Sequence, residues 1–474
     1  MEPIGIVERL GRWSSGRGAL YLLLAARIRT LIDDGELPAG AALPPDRALA
    51  SALAVGRSTV VAAYDLLAAE GRIVRRQGSG TRVAGPHNAA ARPTTEAPGF
   101  LHLLEPRDGV IMLACAAPDA PPPELTDAYA RIVPDLARLS GDIGYHPMGD
   151  LGLRRALADR YAARGLPTDP SQILVTTGGQ QALTLLARAL IRPGDRVLVQ
   201  TPTYFGALEA FREEAAVLRT LPVGLSDFAS ALTTVRPVCA YAISTFHNPT
   251  GAVLPEPERR RLVAAAAAAS VPLIDDEALA DLGFPGETAP PPLAAYDDEV
   301  ITIGSLSKVV WGGLRVGWVR APEPFIARLA RMRTVADLGG NVPAQLAAAA
   351  LLPHLDRALA RSAVQRRAQH DHVRAELAHH LPSWEAPAVP GGQTLWVRLP
   401  HGDGRSFAQQ ALRHGVAVLP GSGLDADGGS TDHLRLHFLA EPAVLTEAVR
   451  RLAAAWHDYH PAPGRDAFPP VMAI

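Results

Sequence analysis

The chain has 474 residues, of which 48% are hydrophobic and 20% are charged, which allows a large core spread over about two to four domains. Its formal net charge of -2 excludes a protein that is basic throughout, although a small basic module remains open. Cys115 and Cys239 form no C-x-x-C pair, which suits a reducing cytoplasm. The apolar run 19–26 is too short to span a membrane, and no leader peptide or metal-ligand spacing is recognisable. We therefore expect a cytoplasmic protein with no membrane or metal partner.

The amino-terminal segment has the pattern of a small helical module. Four apolar residues at helical spacing predict a first helix: Leu20, Leu24, Ile28 and Leu31. A second short helix is predicted within residues 43–53, and a third begins at Arg57 after the Val55-Gly56 turn. Two short helices joined by a tight turn are typical of a helix-turn-helix, whose second helix enters the major groove. Residues 73–83 then predict two strands around a glycine tip, and residues 71–84 hold four arginines and no acid.

This segment, assigned to residues 15–84, resembles the winged-helix DNA-binding domain of the GntR family. The resemblance is carried by L-P-x-x-R-x-L-A at 43–50, R-x-T-V at 57–60 and G-x-G-T at 78–81. It implies that one set of residues contacts operator DNA: Arg47, Arg57, Ser58, Thr59, Arg76, Gly78, Ser79 and Gly80. Arg57 is expected to read a base, because a guanidinium can pair with the guanine edge in two places. The other arginines are expected to hold phosphates. The alternative is a helical domain used for dimerisation or docking.

A linker and a large domain follow. Residues 85–107 are rich in proline, alanine and threonine without periodicity, which predicts a flexible or semi-extended linker. From residue 108 to about residue 460, helical patterns alternate with short apolar strands, which indicates an α/β domain with a mostly parallel sheet. The predicted strands are Ile173–Thr176, Arg196–Gln200, Val238–Ile243, Val271–Ile274, Val300–Ile303 and Val316–Val319. A smaller α+β subdomain is expected over about residues 355–460.

A lone lysine, Lys308, follows the fifth predicted strand between small hydroxyl residues. A lysine amine whose pKa is lowered by burial can form a Schiff base with an aldehyde. Ser305, Ser307 and Arg315 could then bind a phosphate, the arginine supplying fixed charge and two donors. The alternative is a surface lysine in a turn.

Other motifs lie where predicted strands end, which is where ligands bind in parallel sheets. Glycines in Thr176–Leu183 open a helix and let backbone amides approach a phosphate, which the helix dipole favours. Thr201–Gly206 and the H-N-P-T-G string at 247–251 follow the next two strands. Asp275, Asp276 and Glu277 form an acidic cluster, which needs a cation because adjacent carboxylates raise one another's pKa. A protonated pyridine nitrogen would serve, and a solvated acidic loop is the alternative.

These motifs together resemble the class I and II aminotransferases of fold type I, through S-x-S-K-x(6)-R at 305–315, T-x-G-x-Q-Q-A-L at 176–183 and H-N-P-T-G. The resemblance implies pyridoxal 5'-phosphate as the cofactor. It also implies that Lys308 is the catalytic residue and forms a Schiff base with this cofactor. The residues implied to hold the cofactor are Lys308, Asp276, Asn248, Tyr204, Gly178, Gly179, Gln180, Ser305, Ser307 and Arg315. By this resemblance, Tyr204 stacks on the pyridine ring, Asn248 faces the phenolic oxygen of the ring and Asp276 pairs with the ring nitrogen. Asp275 is the alternative for the last role.

Two more segments match the family, and one position departs from it. The R-L-x-F strand implies that Arg435 grips an effector carboxylate. The Y-x-x-x-G-x-x-x-L-R segment implies that Tyr145 reaches a neighbouring subunit's site, and hence a homodimer with shared sites. Leu279 stands where related sequences carry a tyrosine beside the cofactor oxygen, which puts full transaminase competence in doubt.

A GntR-type winged helix joined to an aminotransferase-like domain is the arrangement of MocR-type transcriptional regulators. It implies a sequence-specific, DNA-binding regulator that senses a small amine, an amino acid or pyridoxal phosphate itself, with at most residual aminotransferase half-reactions. One alternative is a working aminotransferase with an accessory DNA-binding head. Another is a DNA-binding module whose large domain is only a dimerisation scaffold, with Lys308 idle. The Leu279 departure favours regulation over turnover.

Overall fold

The structure is a computed structural model that describes residues 10, 13, 19–33, 36–37, 41–70, 72–76, 80–84, 108–139 and 141–460. The described residues fall into two compact units, divided between residues 101 and 102. The predicted linker at 85–107 and the wing-tip residues Gly78 and Ser79 lie outside the described residues, as does the side chain of Arg76. Within the described ranges, no helix is long and apolar enough to cross a membrane.

The first unit is a winged helix, as predicted. Its elements are α1 (Leu20–Asp33), β1 (Ala42–Leu43), α2 (Asp46–Ala52), α3 (Arg57–Ala69), β2 (Ile73–Arg76) and β3 (Gly80–Val83). The strands form an antiparallel sheet in the order β1-β3-β2. The helical spacing of Leu24, Ile28 and Leu31 points all three into a core that also buries Leu49 and Leu67.

One wing arginine has an internal role. Arg75 on β2 donates to Asp46 of α2 at 2.8 Å and to Asp65 of α3, and so ties the wing to both helices. Its guanidinium also lies 5.9 Å from the centre of the Tyr64 ring. The expectation that the arginines other than Arg57 hold phosphates did not foresee these internal partners of Arg75, because sequence spacing does not reveal acids in the helices.

The second unit is built on a seven-stranded sheet in the order β5-β11-β10-β9-β8-β6-β7. Its strands are β5 (Ile173–Thr176), β6 (Arg196–Thr201), β7 (Val217–Pro222), β8 (Cys239–Ala242), β9 (Leu273–Asp276), β10 (Ile301–Ser305) and β11 (Gly317–Arg320). Strand β11 is antiparallel to both neighbours, and the other pairs are parallel. The predicted mostly parallel sheet is confirmed.

Helices cover both faces of this sheet. They are α4 (Pro123–Ala137), α5 (Leu151–Ala163), α6 (Gly179–Leu190), α7 (Phe205–Glu213), α8 (Phe228–Val235), α9 (Glu256–Ala268), α10 (Glu323–Ala336) and α11 (Val342–Leu351). The long helix α12 (Leu355–His380) follows, and its second half packs in a separate core with Leu395 and Leu434. Alternate strand residues enter separate cores, with Leu273 packed beside α9 and Ile274 beside α6 and α7. Strands buried on both faces are near-continuous apolar runs, which is why the sequence reveals most of them.

A smaller antiparallel sheet in the order β12-β15-β14 supports the carboxyl-terminal part. The remaining elements are β4 (Ile111–Met112), β12 (Thr394–Arg398), α13 (Gly404–Arg413), β13 (Val416–Ala417), β14 (Leu419–Pro420), β15 (His433–His437) and α14 (Pro442–His457). Strands β4 and β13 pair in parallel, so the segment that opens the second unit joins this carboxyl-terminal part.

The least accurate strand prediction concerns β9. The apolar run predicts Val271–Ile274, whereas the strand covers Leu273–Asp276 and carries two buried acids. Strand β7 was not predicted, because its pattern is mixed and half-buried. Apolar runs identify strands poorly where buried charges are paired by side chains far away in the sequence.

Candidate functional site

The carboxyl ends of the parallel strands bring the predicted cofactor residues to one edge of the sheet. Strand β5 leads into the Gly178 turn, β6 into Tyr204, β8 into the Asn248 loop and β10 into Lys308. Strand β9 ends on Asp276 itself. Side chains separated by more than 100 residues in sequence therefore share one site.

One end of the site fits a phosphate. Gly178 has a φ of +85° and caps α6, whose first-turn amides have no partner within the helix. Arg315 donates from Nη2 to the Thr177 carbonyl at 2.6 Å, and a Cβ on Gly178 would lie 2.9 Å from that nitrogen. The Ser307 amide donates to the hydroxyl of the buried Ser305 at 3.2 Å. Glycine leaves the space in which amides, hydroxyls and a guanidinium can surround an anion.

Lys308 lies in the interior of the same site. Its Nζ donates to the Ala116 carbonyl at 2.7 Å, and its own carbonyl accepts from Gln393 Nε2 at 2.9 Å. Burial lowers the pKa of the Lys308 ammonium below its ordinary value; the charges of Arg435 and Arg315 add to this lowering, while Cys115 and Asp276 oppose it. The neutral amine that reacts with an aldehyde is thereby favoured.

The three consecutive acids separate instead of forming a cluster around one cation. Asp275 accepts from the Ser244 hydroxyl at 2.8 Å and faces Arg259, whereas Glu277 accepts from Arg164 at 3.0 Å. Asp276 faces the opposite side of the strand from Asp275, towards Lys308. The cluster was expected to need a cation, and the structure gives each acid a separate cationic neighbour, because strand alternation and separate basic residues divide the acids. Of the two candidate aspartates, the geometry favours Asp276 for a pyridine nitrogen.

Tyr204 stands at the start of α7 beside the phosphate turn. Its hydroxyl donates to Gln180 Oε1 at 3.1 Å, and Gln180 Nε2 donates to the Gly206 carbonyl at 2.9 Å. Burial raises the pKa of Tyr204 to about 12, so the phenol stays neutral. The ring is thereby held beside the glycines of the turn, where it can pack on a planar ligand.

Arg435 supplies a cation with unused hydrogen-bonding capacity. It is 5% exposed and donates to Asn248 Oδ1 at 3.1 Å and to the Ala114 carbonyl. Its Nε is buried and has no hydrogen-bond partner among the described residues. Burial lowers the pKa of Arg435 to about 10, which leaves it charged at neutral pH. A carboxylate would satisfy both the charge and the free donor.

Tyr145 is not part of this site within one chain. Its side chain is 61% exposed in the loop before α5, next to Ile143, which is 81% exposed. Two contacts tie this loop to its surroundings: His146 contacts Asp142 at 3.1 Å, and Gly149 lies so close to Val175 that a Cβ would clash.

The sequence analysis missed two contributors. Tyr241 on β8 donates to Asp276 Oδ2 at 2.7 Å. The segment Ala114–Ala116 offers carbonyls to Arg435 and Lys308, with Cys115 between them. Tyr241 could have been noticed in the sequence, because it is the one aromatic residue in a strand of small residues. The carbonyls of Ala114 and Ala116 could not, because every residue type carries a backbone carbonyl.

The winged helix exposes the residues expected to meet DNA. Arg47, Arg57 and Ser58 are exposed, Thr59 is half-buried, and Gly80 is exposed with a φ of +79°. Within the described residues, Arg47 and Arg57 form no hydrogen bond or ion pair. The first turn of α3 therefore presents free donors, as a recognition helix requires.

Comparison with known proteins agrees with both units. Residues 116–452 match the family model "Aminotransferase class I and II", and residues 20–83 match "Bacterial regulatory proteins, gntR family". The structure resembles LysN, the alpha-aminoadipate aminotransferase of Thermus thermophilus, with a TM-score of 0.70 and 29% identity over 77% of this chain and 95% of LysN. That structure was solved with N-(5'-phosphopyridoxyl)-L-leucine.

Regulators match over nearly the whole length. The HTH-type transcriptional regulator YisV of Bacillus subtilis is 30% identical over 90% of this chain and 94% of its own. The regulator TauR of Rhodobacter capsulatus is 28% identical over 93% of this chain and 97% of its own.

Fold and site thus define a class I and II aminotransferase domain, which implies pyridoxal phosphate as the cofactor. The GntR unit implies DNA binding. The chain belongs to the MocR-type family, in which a GntR winged helix is fused to an aminotransferase domain, and is a pyridoxal-phosphate-dependent transcriptional regulator.

Proposed function

We propose that the second unit is a sensor for a small amine that also carries an anionic group, and that the first unit reports its binding at operator DNA. The observation that supports this most strongly is the pair formed by Lys308 and Arg435. One is an amine whose pKa is lowered, and the other is a buried guanidinium with a free Nε. An amino acid satisfies both groups. DNA binding would place this activity in the cytoplasm.

The cofactor would be held by the residues that surround Lys308. When bound, pyridoxal phosphate supplies an aldehyde and an electron-withdrawing ring. The Gly178 turn, Ser305 and Arg315 would hold its phosphate, and Lys308 would form the Schiff base. Asp276 would face the ring nitrogen and Tyr204 the ring face.

The test begins with the visible absorption of the purified full-length protein with pyridoxal phosphate, alongside Lys308→Ala. We expect a band in the wild type that borohydride removes and that Lys308→Ala lacks. Absence of any band after cofactor addition would reject cofactor-based sensing. Glycine, β-alanine and γ-aminobutyrate are then titrated, because they separate amine and carboxylate by increasing distances. At least one should shift the band and change affinity for the intergenic DNA beside the gene.

The second candidate is a working aminotransferase with a DNA-binding head. Lys308, Asp276, Asn248 and Arg435 are all present, and a relative 31% identical over 74% of this chain is named 2-aminoadipate transaminase. Leu279, which carries no hydroxyl, favours the sensor. Sustained formation of keto acid over many turnovers would favour the enzyme. A spectral shift and an altered DNA affinity without turnover would favour the sensor.

A further inference from the structure

The hydroxyl of Tyr241 is committed to one acid. Tyr241 is 1% exposed on the inner strand β8, and its hydroxyl donates to Asp276 Oδ2 at 2.7 Å. Its ring packs edge-on against Phe211 with centroids 5.7 Å apart, which fixes the phenol. The contact therefore joins two strands at the edge that carries Lys308.

Both oxygens of Asp276 are engaged. Oδ1 accepts from the Ala278 amide at 3.0 Å, while Oδ2 accepts from Tyr241. A carboxylate with a fixed donor on each oxygen cannot rotate freely, yet it keeps further lone pairs for another donor. The amide is fixed by the chain itself. The tyrosine hydroxyl is the side chain that completes the arrangement.

We propose that Tyr241 is a positioning residue that keeps Asp276 ionised and oriented for the pyridine nitrogen of the cofactor. This inference rests on the proposed cofactor site at Lys308. It assigns to a strand residue a role that lies outside the loops carrying the family motifs. Tyr241 itself need not contact the cofactor.

Charges and dipoles around Asp276 give the direction of the effect. Burial raises the pKa of Asp276, and the charge of Glu277 raises it, while the Tyr241 and Ala278 hydrogen bonds and the charge of Lys308 lower it. The neutral phenol of Tyr204 also faces this acid. Removing the Tyr241 hydroxyl takes away one of the groups that lower the pKa of Asp276, while the raising effect of burial stays. Asp276 should therefore take up a proton at a higher pH. A neutral acid cannot stabilise a protonated pyridine, so cofactor affinity should fall as the solution becomes acidic.

The experiment measures the dissociation constant of pyridoxal phosphate for full-length Tyr241→Phe by absorbance, at neutral and mildly acidic pH. We expect binding weaker by about tenfold at neutral pH, and by more in acid, since hydrogen bonds to charged groups are the stronger ones. Tyr161→Phe is the matched control, because Tyr161 is also buried but its hydroxyl accepts from Trp318 Nε1 at 2.9 Å. Its affinity and pH profile should equal those of the wild type.

A double-mutant cycle separates positioning from packing. In an Asp276→Asn background, Tyr241→Phe should cause no further loss. An equal loss in both backgrounds, an unchanged affinity and pH profile in Tyr241→Phe, or its failure to fold while Tyr161→Phe folds would each overturn the proposal. A wild type that binds no pyridoxal phosphate would instead reject the cofactor site, and this inference with it.

Discussion

At the scale of single residues, the direction of a side chain decides its chemistry. Asp275 and Asp276 are adjacent and chemically identical, yet one is buried beside Arg259 and the other faces Lys308. The pleat of β9 causes the difference, because successive side chains leave opposite faces of a strand. The same rule places Tyr241 on the face of Asp276.

Arg435→Met should remove recognition of the anionic group while keeping most of the buried volume. Affinity for an amine with a carboxylate should fall about 10- to 100-fold, since hydrogen bonds to charged groups contribute about 1.5–3 kcal/mol. The measurement is the spectral titration with each amino acid that shifts the band. Propylamine, which has no anionic group, serves as the control ligand and should bind both proteins equally. A parallel loss for propylamine would show that Arg435 supports the site in another way.

His437 should make stability depend on pH. Its Nδ1 accepts from the Leu439 amide at 3.1 Å and its Nε2 donates to the Met112 carbonyl at 2.6 Å, which fixes the neutral form. Burial lowers the pKa of His437 from 6.5 to about 4. As the pH falls, His437 therefore binds a proton in the unfolded chain before it does so in the folded chain. The stability that is present above pH 6.5 is lost as the pH falls towards about 4.

The matched variant for this prediction is His437→Gln, whose amide can donate and accept in the same positions. Between about pH 7 and about pH 5, the wild type should lose about 2 kcal/mol more of its free energy of unfolding than the variant. Urea unfolding of the cofactor-free protein at both pH values measures this. Equal losses would mean that His437 does not titrate in this range.

At the scale of elements, close backbone approach shapes the phosphate end. A Cβ on Gly317 of β11 would lie 2.6 Å from the Gly178 carbonyl carbon. Gly317→Ala should push the turn away, with a cost of about 1–3 kcal/mol in stability and weaker binding of pyridoxal phosphate. Gly312→Ala is the nearby control, because among the described residues none beyond its chain neighbours has an atom within 4 Å of the added Cβ. Thermal unfolding and titration with pyridoxal phosphate measure stability and cofactor affinity in both variants. Equal stability and equal affinity in the two variants would contradict the steric argument.

Two arginines in the winged helix should behave differently. Arg57→Ala removes an exposed side chain without an internal partner in the described residues, so operator affinity should fall while the unfolding temperature stays constant. Arg75→Ala breaks the bridge to Asp46 and Asp65, so it should lower the stability of this unit by up to about 1 kcal/mol, as for a partly exposed pair. Mobility-shift assays and thermal unfolding separate the two. If Arg57→Ala lowered the unfolding temperature and Arg75→Ala lowered only operator affinity, the assigned roles of these two arginines would be wrong.

At the scale of the whole molecule, the exposed Tyr145 bears on the proposed homodimer. If it acts in a neighbouring subunit, a hybrid of Lys308→Ala and Tyr145→Ala chains contains one intact site. If it acts within its own chain, the hybrid contains none. Co-expression with two different affinity tags isolates the hybrid, and the amino-acid-dependent spectral shift measures its sites. About half the wild-type amplitude is expected, and no response would reject sharing.

Residue order was enough to indicate the two domains and to select candidate site residues. Contiguous patterns predicted the winged helix and the mostly parallel sheet, because local spacing reflects backbone geometry directly. The strand-end motifs and the family resemblance selected the Gly178 turn, Lys308 and Arg435, whose roles stay predictions.

Packing in three dimensions was needed to show which neighbours share a site. It separated Asp275, Asp276 and Glu277, committed Arg75 to Asp46 and Asp65, and brought Tyr241 to Asp276 across 35 residues of chain. Hydrogen bonds and ion pairs act over a few ångströms in space, and sequence separation does not encode those distances.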